Sequence, residues 1–437
     1  MEYIPNIIFA IILAAGIGYF ANNVRKLVRN INLGKDLDVS DNKPQRWKNM
    51  AYIALGQSKM VKRPIAGILH IVVYVGFVII NIEVLEIIID GLFGTHRIGH
   101  SILPSALYGF LIGSFEVLAL LVLVAVIVFW IRRNVIKLKR FMSSEMKGWP
   151  KSDGNIILYF EVVLMCLFLV MNATDTVFQG YNSGNIISQF IAPLFDGLST
   201  STLHIIERSA WWMHIVGILA FLNYLYFSKH LHILLAFPNT YYGKLTPKGQ
   251  FPNNPTVTKE VKMMMDPDAD PFAAAPEGEE DAVPEKFGAS DVQDLSWVNL
   301  LNAYTCTECG RCTSECPANL TGKKLSPRKI MMDTRDRLVE VGKNIDANKG
   351  VFVDDGKQLL GDYVTDEELW ACTSCNACVE ACPVSIDPLN IIMQMRQYSV
   401  MEKSAAPTEL NNMMTNIENN GAPWPYNQMD RLNWKDE

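Results

Sequence analysis

Cys306-Thr-Glu-Cys309-Gly-Arg-Cys312-Thr-Ser-Glu-Cys316-Pro317 has the form C-x2-C-x2-C-x3-C-P, and Cys372-Thr-Ser-Cys375-Asn-Ala-Cys378-Val-Glu-Ala-Cys382-Pro383 repeats it. A cubane cluster needs four thiolates, and gaps of two residues let one loop wrap three of its irons. In two-cluster ferredoxins the fourth Cys of each run crosses to the other cluster. The spacing therefore assigns Cys306, Cys309, Cys312 and Cys382 to one [4Fe–4S] cluster, and Cys372, Cys375, Cys378 and Cys316 to a second. Zinc is the competing reading, but zinc ligands come in separated pairs and seldom in a repeated four-Cys run closed by Pro. Eight of the nine Cys lie in these runs, which points to metal ligation in a reducing compartment and away from a disulfide framework. The ninth, Cys166, sits alone in an apolar run and is expected to be a buried packing residue.

Fifty-five residues separate Cys316 from Cys372, too many for a compact bacterial ferredoxin, and the intervening sequence is helical in pattern over Pro327–Val341 and Thr365–Trp370. Together with a further helix expected over Leu295–Tyr304, this region resembles the α-helical ferredoxin of succinate dehydrogenase and heterodisulfide reductase subunits.

Upstream the chain changes character. Of its 437 residues 49% are hydrophobic, and these concentrate before residue 240. Five segments, about 4–24, 64–92, 103–131, 154–178 and 207–236, reach the roughly 20 apolar residues that a helix needs to cross a bilayer. The first has no basic residue before it and Arg25, Lys26 and Arg29 after it, so it reads as a retained helix and not as a signal peptide. Lys and Arg crowd residues 22–63 and 132–153, whereas 93–102 holds only Arg97 and 179–206 holds neither. The positive-inside rule then puts the N-terminus outside and everything after the fifth helix in the cytoplasm, giving a multi-pass protein of the cytoplasmic membrane.

The expected fold is all-α: a five-helix transmembrane bundle over 1–238, then an α-helical ferredoxin domain over 295–402. Between them, 239–294 reads as an extended linker, because Pro252, Pro255, Pro267, Pro271, Pro276 and Pro284 interrupt regular structure and Glu277–Asp281 is acidic. Trp424, Tyr426 and Trp434 in the polar tail, 403–437, suit docking on a partner. A net charge of −6 gives no reason to expect nucleic acid. No Gly-rich dinucleotide loop and no nucleophile constellation is visible, so no substrate site is predicted.

Ionisable residues inside membrane helices are functional by default. His70 lies near the start of the second helix, and His214, His230 and His232 lie on the fifth, His214 near its outer end. On one continuous helix His214 and His232, 18 residues apart, share a face. His70, rising from Pro64, and His232, above a helix end near Pro238, each stand about 9 Å from that end of the bundle. Matching height on antiparallel helices suits bis-imidazole ligation of one haem b. His214 lies about 27 Å further up, where a second haem needs another partner. His230 points to a different side and reads as interfacial. Glu83, Glu86, Asp90, Glu116 and Glu161 are candidates for proton exchange with a quinone, or for pairing with Arg97 or Arg208.

Phe227-Ser-Lys-His-Leu-His232-Ile resembles the end of the last helix of the nitrate reductase gamma subunit, which has the pattern F-S-[RK]-x-x-H-I and a haem ligand 18 residues earlier, where His214 stands. Gly67-Ile-Leu-His70 with Gly76 is similar to that family's second helix, although Ile80 occupies the place of its further His. His96, His100 or His204 would then have to complete an outer site. The whole chain resembles heterodisulfide-reductase-like iron–sulfur oxidoreductases, in which such a membrane domain is fused to the ferredoxin. The resemblance implies one or two haem b, menaquinone or ubiquinone as diffusible substrate, and a cytoplasmic partner, either a CCG-domain or a flavoprotein-type oxidoreductase subunit. The CCG domains of longer members would begin near Gly421-Ala-Pro-Trp424, and that half is expected on a separate polypeptide. The expected function is electron relay between quinone and that partner. A haem-free membrane-anchored ferredoxin and a redox sensor are the alternatives.

Overall fold

The computed structural model describes residues 3–247, 249–251, 253–267 and 286–436. Among them regular structure is helical, and extended backbone pairs only in isolated bridges such as Lys35 with Ser296. Five helices are long and apolar enough to cross a bilayer: Ile4–Ile31, Pro64–Phe93, Ser105–Asn134, Trp149–Thr174 and Thr200–Phe227. The chain is a membrane protein. Pro stands in the first turn of the first, second and fourth spans, where its missing N–H costs no helical hydrogen bond.

The spans sort their residues by neighbour. Ile7, Ile11, Ile65, Leu85, Phe110 and Val163 face outward as a lipid-compatible surface, while Phe9, Ile112, Phe115, Ala119, Phe168 and Ile215 fill the interior. Gly76 lets the second and third spans meet, since a Cβ there would lie 2.4 Å from Val122 Cγ2. Cys166 is exposed on the outer surface of the fourth span and is not a packing residue. Its neighbours Leu164 and Phe168 take the inward positions instead.

The fifth span departs from expectation. Its helix ends at Tyr224, passes through a tight turn over Leu225–Phe227, and breaks at Ser228, whose backbone is extended at φ −117° and ψ 149°. A separate helix, His232–Tyr241, then carries Pro238 in its interior. The break has a clear cause. Asp153, buried on the fourth span, accepts from Tyr224 Oη at 2.6 Å, Ser228 Oγ at 2.7 Å and the Lys229 N–H at 3.1 Å. A buried carboxylate must be satisfied, and it draws the chain out of the helical ladder to do so. His214 and His232 are consequently not on one continuous helix.

Prolines do not keep 239–294 free of helix either. Pro255 opens the helix Pro255–Met265, at the first-turn position where proline is tolerated. Glu277–Asp281 and Pro271, Pro276 and Pro284 lie outside the described residues. From residue 286 the chain already belongs to the C-terminal helical domain: Ala289, Val292 and Leu295 are buried there, and Leu360 N–H donates to Ser290 O.

That domain packs the helices Trp297–Thr305, Pro327–Ala347 and Pro388–Met401 around the two cysteine loops. Trp424, Tyr426 and Trp434 are exposed in the tail. Arg337, on Pro327–Ala347, is fully buried and holds the domain's entry segment. It donates to Asp291 at 2.8 and 3.0 Å, to Asp355 at 2.6 and 2.9 Å and to Lys357 O at 2.9 Å. Arg337→Ala leaves two carboxylates facing a cavity and is expected to destabilise the domain by about 3–5 kcal/mol. Thermal loss of the visible absorption reads this as a lowered midpoint, and an unchanged midpoint would contradict it.

Candidate redox centres

The two cysteine loops are built alike. In each, the residue before the second Cys has a positive φ (Glu308, +54°; Ser374, +55°), as does the residue after it (Gly310, +71°; Asn376, +61°). The left-handed residues curl the backbone so that N–H groups turn toward sulfur. Ser374 N donates to Cys372 Sγ at 3.4 Å, and Ile386 N to Cys382 Sγ at 3.3 Å. At Gly310 a side chain is also barred by space, since a Cβ would lie 2.5 Å from Arg328 Nη1.

Tertiary structure gathers the sulfurs across the repeats. Cys306, Cys309, Cys312 and Cys382 line one cavity, together with Pro383, Val384 and Ile386. Cys316 falls within electrostatic range of Cys372 and Cys378, and Cys375 within range of Cys372. Burial pushes the Cys306 thiol up to about 12 and that of Cys382 up to about 11. Four thiolates cannot be kept in such a place without cationic iron, so the donor set fits a [4Fe–4S] cluster and its assembly releases protons.

The first cysteine loop is held against the spans by buried groups, and the second reaches them at its surface, where Glu380 pairs with Lys62 at 2.7 Å. Glu308, buried, forms ion pairs with Lys229 just past the fifth span and with Arg335 of the domain (2.8 Å). Burial raises its carboxyl, but the two cations outweigh that and hold it below the usual carboxylate value. Such a group stabilises the fold above its unfolded value, and the contribution is lost as pH falls through the folded one. Arg311, between Cys309 and Cys312, donates to Lys59 O at 2.9 Å and Met60 O at 3.2 Å. Arg328 donates to Arg140 O at 2.6 Å and Glu145 at 2.6 Å, taking hold of the connection between the third and fourth spans. Asn30, at the end of the first span, donates to Tyr304 Oη at 2.9 Å. The ends of all five spans on this side, with the Lys- and Arg-rich residues 22–63 and 132–153, thus face the cysteine domain.

Two of these contacts lead to histidines. Met60, gripped by Arg311, packs on the backbone of Gly67, one helical turn before His70. Lys229, bound to Glu308, offers its carbonyl to His232 Nδ1 at 3.2 Å. A carbonyl only accepts, so Nδ1 carries the proton and Nε2 is left as a ligating nitrogen. The rings of His70 and His232 are 6.3 Å apart, centre to centre, and tilted by 40°. An ion held between two imidazoles takes about 2 Å to each nitrogen, which this separation accommodates. His70 Nδ1 is buried with no hydrogen-bond partner. The pair therefore fits axial ligation of a haem.

His230, read from sequence as pointing elsewhere, lies beside them: its ring is 5.3 Å from that of His232, and Nε2 is 3.7 Å from Glu161. His214 is buried against Phe168, ring centres 6.1 Å apart. None of the three histidines that could complete an outer pair comes to it. His100 stacks on Tyr181 at 3.8 Å, His96 lies 3.2 Å from Asp175, and His204 is exposed. His96, Asp175 and Glu207 form a trio with ligand-like spacing, but Arg97 and Arg208 already pair with its two carboxylates. Most membrane acids are likewise engaged. Asp90 accepts from the N–H of Arg97, Glu86 from that of Gly99, and Glu116 from those of Ile187 and Ser188. Glu83 is buried with one carboxylate oxygen unpartnered.

Residues 305–386 match the 4Fe-4S dicluster domain. The chain carries a 4Fe-4S dicluster domain and is similar to iron–sulfur oxidoreductases of the heterodisulfide-reductase-like kind. It is 27% identical over 99% of its length to a probable iron-sulfur-binding oxidoreductase, FadF, of Bacillus subtilis, covering 61% of that relative. It is 26% identical over 91% of its length to EtfAB:quinone oxidoreductase of Syntrophomonas wolfei, covering 55%. It is also 32% identical over 24% of its length to one subunit of a ferredoxin/F(420)H(2)-dependent CoB-CoM heterodisulfide reductase of Methanosarcina acetivorans, covering 52%. The chain thus spans little more than half of these relatives. No solved structure gives a significant match.

Cross-ligation makes a specific prediction. Cys382→Ala and Cys309→Ala should lose the same cluster and give superimposable paramagnetic spectra, with non-haem iron falling from about eight to about four per chain. Cys316→Ala should match Cys375→Ala. A Cys382→Ala spectrum matching that of Cys375→Ala would refute the assignment.

Proposed function

We propose that the chain is a membrane-bound electron-transfer subunit, relaying electrons between a quinone or quinol and a catalytic partner on the cytoplasmic side. The observation that carries this reading is the pair of contacts joining the first cysteine loop to the two histidines: Arg311 to Met60 beside His70, and Glu308 to Lys229 beside His232. When bound, the haem and the two clusters supply one-electron carriers.

The placement of the cysteines supports an order. The cavity of Cys306, Cys309, Cys312 and Cys382 includes Glu308, which pairs with Lys229 past the fifth span, while Cys375 on the second loop is exposed. The first cluster is thus the inner station and the second the station presented to a partner. The two half-buried imidazoles stand at the inner end, and the proton held at His232 Nδ1 keeps its ring oriented. The likeness to EtfAB:quinone oxidoreductase supports a quinone-linked role with a separate electron donor or acceptor, and the likeness to FadF supports an iron–sulfur oxidoreductase. The cations of residues 22–63 and 132–153 support the cytoplasmic placement of the clusters.

Purified protein should contain one b-type haem per chain by reduced-minus-oxidised absorption. His70→Ala and His232→Ala should abolish it with the cluster iron retained, and His214→Ala should leave it in place. Haem persisting in His70→Ala would overturn the ligand pair. No haem in the wild-type chain would leave a membrane-anchored ferredoxin.

A further inference from the structure

Where the second and third spans meet the first cysteine loop there is a cleft of about 460 Å³. Lys62, Arg63, Arg132, Lys139 and Arg140 line it, with Ser314 of the loop, and no carboxylate does. Lys62 and Arg63 are neutralised from outside by Glu380 at 2.7 Å and Glu315 at 2.9 Å. Among the described residues, Arg132, Lys139 and Arg140 have no carboxylate partner, and Arg140 Nε is buried with no acceptor. Arg140 also lies within electrostatic range of Cys309, but Arg132 and Lys139 stand uncompensated in the recess and call for an anion, a demand that a neutral quinone does not answer.

The walls say what kind of anion. Pro64, Ile65 and Ala66, the first turn of the second span, form one side, and Arg132 is the last turn of the third. Above the cleft, Ile65 and Ile68 on one span and Ile127 and Ile131 on the other are exposed at spacings of three and four, one face each. A polar cationic recess at the headgroup level continues into an apolar strip at the level of acyl chains.

We propose that this cleft binds the phosphodiester headgroup of an anionic membrane lipid, whose tails lie along the Ile65–Ile68 and Ile127–Ile131 faces. Basic pockets between helices at the charged side of a membrane select such headgroups. The lipid then bridges the spans and the first cysteine loop through Ser314 and Arg140.

The test uses the full chain with its clusters, in nanodiscs of phosphatidylcholine with minor phosphatidylglycerol, followed by mass spectrometry of the intact complex. Wild type should retain one phosphatidylglycerol in preference to phosphatidylcholine. Arg132→Gln with Lys139→Gln should reduce that retention at least about tenfold, while Lys147→Gln with Lys151→Gln, two basic residues outside the cleft, should match wild type. Full iron and sulfide in both variants excludes misfolding. Charge-preserving Arg132→Lys with Lys139→Arg should keep the lipid. Equal retention of the two lipids by wild type, or unchanged retention in the double Gln variant, would overturn the proposal. So would displacement of the lipid by millimolar inorganic phosphate, which would mark a site for free anions.

Discussion

Glu308 sits between two cations, one at the end of a membrane helix and one in the cysteine domain, inside the loop of Cys306, Cys309 and Cys312. A carboxylate buried this deeply is tolerated only while both partners stay. The pairing therefore fixes where the loop stands relative to the fifth span. Arg311 does the same for the second span by capping the carbonyls of Lys59 and Met60. Because both contacts originate within one Cys-x2-Cys-x2-Cys run, a shift of the loop moves the cluster ligands and the histidine environment together. A pathway between membrane and clusters needs that rigidity, since electron transfer is governed by the distance between carriers.

The remaining interdomain contacts have the same character. Arg328, fully buried, ties the connection of the third and fourth spans to the start of Pro327–Ala347, and Asn30 reaches Tyr304 from the first span. Buried ion pairs add little net stability over apolar packing, but breaking one is costly. Their use here is orientation: every span end on this face is given a polar partner in the cysteine domain, while apolar burial within each layer supplies the bulk of the stabilisation.

Much of this was legible in the sequence because it is encoded locally. Cysteine spacing, the length of apolar runs and the distribution of Lys and Arg are all short-range signals. The height of His70 and His232 was also legible, for a reason only partly right. That height rests on an unbroken fifth helix, whereas the helix breaks at Ser228 and His232 still stands with its ring centre 6.3 Å from that of His70. The break itself was hidden because Asp153, which causes it, lies 75 residues away from Ser228. His230 was misjudged for the same reason: helical periodicity does not hold across 3-10 turns and an extended residue. Cys166 shows a further limit. An apolar membrane helix carries little polarity contrast, so sequence alone does not tell its lipid face from its core face.

On this proposal the cluster of Cys306, Cys309, Cys312 and Cys382 stands between the membrane and the second cluster, so electrons cross it in either direction. The most direct test is stopped-flow reduction of the clusters by a soluble quinol analogue in chains lacking one cluster or the other. The account predicts rapid reduction of the first cluster when the second is absent, and loss of the rapid phase for the second when the first is absent. A second cluster reduced at an unaltered rate without the first would contradict it.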